Sequence, residues 1–96
     1  MNYMDRIVCI TGATSGIGRA TALLLAGKGC RIIACGRRGD RLVGLKEELG
    51  SKVHTLAFDV RNRLDVEAAF ASLPEAFSPV DTLINNAGNA HGLDPI

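Results

Sequence analysis

The octapeptide Thr11 to Gly18, T-G-A-T-S-G-I-G, follows a short apolar run, Arg6 to Ile10 (R-I-V-C-I), and leads straight into a helical pattern. Its three glycines have separate tasks in such a strand-to-helix connection. Gly12 can take the tight turn, Gly16 lets backbone approach a ligand where a Cβ would intrude, and Gly18 allows the helix to pack against the strand. The N–H groups of the helix start are then free to meet an anion, with Thr14 and Ser15 as further hydroxyl donors. The spacing is not that of a Walker loop, because Ile17 and Arg19 stand where Gly and Ser or Thr are needed. Nor is it the six-residue G-x-G-x-x-G, because Thr14 replaces the second glycine.

Outward from this turn, the apolar segments alternate in type. Arg31 to Cys35 (R-I-I-A-C) repeats the β-branched, non-alternating character of Arg6 to Ile10, as strands covered on both faces do; Val53 to Phe58 and Thr82 to Ile84 are weaker versions. Ile17, Ala20, Thr21, Leu24 and Leu25 form a helical stripe that Gly27 and Gly29 stop, and Leu42, Leu45 and Leu49 form a second. A third runs through Val66, Ala69, Phe70 and Leu73, with Asn62 as the cap, Asp65 near the positive helix start and Pro74 as the stop. The order β-α-β-α-β-α-β predicts an α/β fold: a Rossmann-like doubly wound parallel sheet with strand order 3-2-1-4, whose switch point lies between the first and fourth strands. Ligand is expected at the carboxyl ends of those strands.

Composition narrows the function classes. Of 96 residues, 47% are hydrophobic, which argues against disorder, and 11 Lys and Arg against 10 Asp and Glu leave a charge of +1, so no basic field marks a nucleic-acid or membrane-surface binder. No charge-free stretch is long enough for a transmembrane helix and no secretory signal is legible. Three cysteines without C-x-x-C spacing suit reduced thiols in a cytoplasmic chain. Cys9 and Cys35, on neighbouring strands, read as packing residues. His54 and His91 lack neighbours at ligand spacing, so no metal site is expected. Residues 1–96 read as one domain. Asn89 to Ile96 form a loop without the helix that should cover the fourth strand, so the chain is expected to be part of a longer protein.

The other strand ends add candidates. Gly36 is followed by Arg37 and Arg38, at the roughly twenty-residue spacing beyond Gly18 where a dinucleotide site discriminates its ribose; guanidiniums there attract a 2′-phosphate that a carboxylate would repel, which favours NADP over NAD. Asp59 and Val60 stand where an adenine would lie, with Asp59 equally able to organise its own turn. Asn85, Asn86, Ala87 and Gly88 end the fourth strand. Small residues there admit a ribose, Asn86 can both bind and tie strands, and Asn85 suits a structural tie. The candidate cofactor-binding set is therefore Gly12, Ala13, Thr14, Ser15, Gly16, Ile17, Gly18, Arg37, Arg38, Asp59, Val60, Asn86, Ala87 and Gly88.

T-G-A-T-S-G-I-G, Asp59-Val60 and N-N-A-G at Asn85 to Gly88 occur in the order and spacing of the short-chain dehydrogenase/reductase family, which the sequence resembles. G-R-R at Gly36 to Arg38, D-V-R-N-R at Asp59 to Arg63, S-L-P at Ser72 to Pro74 and N-N-A-G-x-A-x-G at Asn85 to Gly92 look like its NADP-dependent 3-hydroxy acid (serine-type) branch. The resemblance implies hydride transfer between nicotinamide and a secondary alcohol or ketone of a small-molecule substrate. It also implies a catalytic Ser and a Y-x-x-x-K pair. None of these is present: Tyr3 is the only tyrosine and Ile7 stands four residues later, so this chain alone is expected to be inactive. The complete protein is expected to be a cytoplasmic homo-oligomer. Two other readings remain open, a non-catalytic dinucleotide-binding module or sensor and a mononucleotide or phosphate binder using the same helix start.

Overall fold

The structure, a computed structural model, describes residues 3–37 and 39–86. Four strands, β1 (Ile7–Thr11), β2 (Arg31–Gly36), β3 (Val53–Ala57) and β4 (Thr82–Asn85), alternate with helices α1 (Gly16–Gly27), α2 (Gly39–Leu49) and α3 (Arg63–Ala71). Short 3₁₀ turns at Gly50–Lys52 and Glu75–Phe77 precede β3 and β4. All strand pairs are parallel and the order is β3-β2-β1-β4, the Rossmann order expected from the sequence. Among the described residues, no helix is long and apolar enough to cross a membrane.

Two apolar layers flank the sheet because successive strand residues point to opposite faces. Val8, Ile10, Ile32, Ala34 and Val53 meet Ala22, Ala26, Leu42 and Leu45 of α1 and α2 on one face. On the other, Ile7, Cys9, Ile33, Cys35 and Leu56 meet Phe58 and Phe77, with Val66, Ala69, Phe70 and Leu73 laid over them. Ile10, Ile32 and Ile33 are fully buried, each contributing on the order of 2 kcal/mol. Half-buried His54 stands against Phe77 with ring centroids 5.5 Å apart. Burial, with Lys46 nearby, pushes its pKa down.

Local signals set the helix ends. The Asn62 side chain accepts from the Asp65 N–H at 3.2 Å, and α3 stops before Pro74. Gly29 adopts φ +97°, while Gly29 N–H and Cys30 N–H close on the Ala26 and Leu25 carbonyls, a Schellman end for α1.

Strand ends and one helix face differ from the sequence expectation; β2 and β4 each run one residue further, to Gly36 and Asn85. Arg6 lies outside β1, which instead reaches Thr11, and Phe58 lies beyond β3, although its N–H still bonds the Gly36 carbonyl at 3.0 Å. The face α1 turns to the sheet is Gly18, Ala22 and Ala26, whereas Ile17 and Leu24 are 73% and 61% exposed. Gly18 sets that phase. Its backbone lies so close to Gly12 that small residues at i, i+4 and i+8 make the central contact, with Leu23 and Leu25, the latter from the expected stripe, half-buried against the same layer.

Candidate functional site

The parallel register brings the carboxyl ends of the strands to one rim: Thr11 pairs with both Cys35 and Asn85, and Gly36 with Ala57. The glycine turn leaves this rim at the centre. Gly12 takes φ +63°, the left-handed region, and Ala13, fully buried, donates its N–H to the Cys35 carbonyl at 3.0 Å. A Cβ on Gly18 would lie 2.1 Å from the Gly12 carbonyl oxygen, so that position accepts only glycine as built. Around Gly16 a Cβ would meet nothing within 4 Å, which leaves open space beside the helix start.

That start is uncapped. Ser15 is extended at the N-cap and makes no side-chain cap bond, and the first turn of α1 holds no acidic residue. The contrast is α3, where Asn62 caps and Asp65 sits in the first turn. The first N–H groups of a helix have no intrahelical acceptor and carry the positive end of its dipole, so α1 presents to the rim an anion cradle that its own side chains do not fill.

Ser15 is turned inward. Its hydroxyl donates to the Gly12 carbonyl at 2.8 Å and accepts from the Asn86 amide at 3.0 Å. Asn86, buried, also donates to the Gly12 carbonyl at 3.2 Å, and its backbone N–H bonds Thr11 Oγ1 at 2.9 Å. Thr11 Oγ1 in turn donates to Asn85 Oδ1 at 2.8 Å. One network thus ties the turn to the end of β4. Asn86 performs the strand-tying half of its expected double role, and Asn85 makes the structural tie. Thr11 was not among the candidates; the signal for it was a hydroxyl at the strand end directly before Gly12.

At the adjacent strand ends, the Thr14 side chain lies 3.7 Å from where a Gly36 Cβ would be, so the turn and the start of Gly36-Arg37 meet. Arg37 is exposed, close enough for its charge to act on Asp59. Asp59 takes its turn-organising option: its carboxylate accepts from Arg61 N–H at 2.9 Å and pairs with the Arg61 guanidinium at 2.9–3.3 Å. Those bonds hold its carboxyl down at about 2. Arg61, also not anticipated, was the nearest cation in sequence. Val60 is half-exposed on the same turn. Ile17, in the first turn of α1, points outward. Arg38, Ala87, Gly88 and His91 lie outside the described residues, as do all of residues 89–96, for which a loop was expected.

Two grooves compete as binding sites. One of about 530 Å³, lined among others by Asp5, Lys28, Arg31 and Lys52, sits at the opposite end of the sheet. Its cations are engaged, Lys52 with the Ala26 carbonyl, Arg31 with the Ala76 carbonyl and Lys28 over the Tyr3 ring, and it adjoins the negative end of α1. The smaller, about 340 Å³, is lined by Thr14, Arg19, Arg41, Gly44 and Leu45. Arg19 is likewise engaged, paired with Glu48, but this groove adjoins the positive end of α1, which makes it the better place for an anionic ligand.

A family model described as short chain dehydrogenase matches residues 6–95. The NADP-dependent 3-hydroxy acid dehydrogenase YdfG of Salmonella typhi is 49% identical over 89 residues, 93% of this chain and 36% of that protein. The serine 3-dehydrogenase of Agrobacterium fabrum is 46% identical over 92 residues, 96% of this chain and 37% of that protein. A solved closed form of serine dehydrogenase complexed with NADP+ superposes with a TM-score of 0.78 at 43% identity, covering 80% of this chain and 31% of that one. The chain spans about a third of the length of these relatives.

Proposed function

Since the chain belongs to the short-chain dehydrogenase family, we propose that residues 1–96 are the NADP-binding portion of an oxidoreductase that acts on a small 3-hydroxy acid. The observation that carries this reading is the uncapped start of α1 beside open space at Gly16. A diphosphate there takes hydrogen bonds from the first N–H groups of the helix. Thr11, Ser15 and Asn86 hold the turn in shape, leaving Thr14 and the Arg37/Arg38 pair to face the adenosine side. Val60 offers its backbone N–H to the adenine, and Ala87 and Gly88 leave room for a ribose. The bound cofactor supplies the nicotinamide C4 that exchanges hydride with the secondary alcohol or ketone carbon. The proton-handling Tyr and Lys of the family are not among these residues, so the 96-residue chain by itself is inactive in this reading. The complete protein works as a homo-oligomer on a small-molecule substrate, and its place in the cytoplasm follows from the same reading.

The test is cofactor discrimination. Arg37→Asp exchanges attraction of a 2′-phosphate for repulsion, removing a charge-assisted bond of about 2 kcal/mol, roughly thirtyfold in affinity. Fluorescence titration is expected to show that loss for NADPH and little change for NADH. Equal losses for both would discard the NADP assignment. A second reading, a dinucleotide-binding module with no catalysis of its own, is favoured by the lack of any Tyr and Lys four apart within the chain. Finding such a pair in sequence that follows Ile96 decides against it.

A further inference from the structure

We propose that Cys9 and Cys35 are an oxidative modification site, converted by hydrogen peroxide into a reversible disulfide that ties β1 to β2 beneath the glycine turn. Their sulfurs lie 3.5 Å apart, both side chains are fully buried, and both point to the same face of the sheet. They are diagonal neighbours, since Cys9 pairs with Ile33 and Cys35 with Thr11. Cys30, the third thiol, belongs to the opposite apolar layer and cannot compete. Phe58 and Phe77 pack on the same face, and Val66, Ala69 and Phe70 of α3, which has no fully buried residue, lie over that layer. Release of α3 loosens this cover and admits a small oxidant without opening the sheet.

The pair has a built-in division of labour. Either sulfur can donate in the bond between them; with Cys35 as the donor it favours a thiolate at Cys9 against the opposing effect of burial, while the same bond and burial push Cys35 up. The Cys9 thiolate attacks a peroxide oxygen; the O–O bond breaks, a proton completes one water, and Cys9 becomes a sulfenic acid. Cys35 sulfur then attacks Cys9 sulfur; the S–O bond breaks, and the departing hydroxide takes the Cys35 proton as a second water. The thiols lose two electrons and the peroxide gains them.

Bond formation draws the sulfurs to about 2.05 Å, and because the residues are diagonal the strand ends must shift. The Cys35 carbonyl holds the Ala13 N–H of the turn, so the shift reaches the diphosphate cradle. This last consequence rests on the cofactor reading; the disulfide does not.

In the test, the full chain is treated with hydrogen peroxide, free thiols are blocked with iodoacetamide in denaturant, and unreduced peptides are mapped. A Cys9–Cys35 cross-linked peptide with Cys30 alkylated, reversed by dithiothreitol, is expected. NADPH titration of the oxidised form is expected to show affinity roughly tenfold weaker. Trapping of a dimedone-reactive Cys9 in Cys35→Ser supports the assigned order of attack. Cys9 and Cys35 both alkylated after peroxide, or linkage through Cys30, overturns the proposal. A cross-link that leaves NADPH affinity unchanged overturns its coupling to the turn. A reduced chain that binds no NADPH overturns the cofactor reading instead, while the peptide map still decides the disulfide.

Discussion

Gly18 and Gly16 differ by two positions and by what surrounds them. Alanine at Gly18 gains about 1 kcal/mol of helix propensity, but its Cβ would sit 2.1 Å from a backbone oxygen, and such overpacking costs about 1–3 kcal/mol or more. Gly18→Ala is therefore expected to lower the thermal midpoint by several degrees. Gly16→Ala meets nothing within 4 Å and should leave that midpoint unchanged or higher, yet weaken NADPH if ligand backbone approach is the reason for glycine there. Calorimetry and NADPH titration on both variants separate the two tasks. Asp59 supplies the pH dependence. Its folded pKa is depressed by Arg61, so the pairing contributes fully above the ordinary carboxylate value of about 3.9 and is lost as pH falls through about 2. NMR titration should place the Asp59 carboxyl midpoint near that low value and return it toward the ordinary one in Arg61→Ala; an ordinary midpoint in the unmodified chain removes the ion pair. The tasks of Gly12 and Gly18 were legible in the octapeptide because φ and Cβ are properties of one residue. The pairing of Asp59 with Arg61 was not, since a ligand or a neighbouring cation satisfies the same carboxylate.

Helix α3 came out of the sequence with its cap, face and stop intact, because Asn62, the Val66 to Leu73 stripe and Pro74 are strong and agree. Helix α1 did not. Its leucines outnumber its alanines in hydrophobic weight, and a periodicity reading follows the weight; the contact with the sheet follows clearance instead. Ala22 is fully buried whereas Leu24 is 61% exposed. Ala22→Leu is accordingly expected to cost about 1–3 kcal/mol, and Leu24→Gln to stay within about 0.5 kcal/mol, both read by urea denaturation. The opposite order would restore the expected stripe of Ile17, Ala20, Thr21, Leu24 and Leu25 as the buried face.

At the scale of the molecule the two sides of the sheet are unequally secured. Helices α1 and α2 contribute Ala22, Ala26, Leu42 and Leu45 as fully buried residues, while α3 contributes none. Hydrogen exchange should therefore find the amides of Arg63–Ala71 less protected than those of β1 and β2, by about a hundredfold or more. Uniform protection would mean that the sheet and its α3 cover open together, closing the route by which an oxidant is proposed to reach Cys9. The amino-acid sequence by itself determined the alternation of strands and helices and the place of the glycine turn, because these depend on dihedral freedom and apolar period along consecutive residues; the strand order was expected only from the Rossmann pattern that the turn suggested. Only the tertiary structure decided that Ser15 and Asn86 spend their polar groups on the turn, which face α1 buries, and that the Cys9 and Cys35 sulfurs touch. Asn86 and Thr11 are 75 positions apart, and contacts of that kind exist only once strand register has set which ends share a rim.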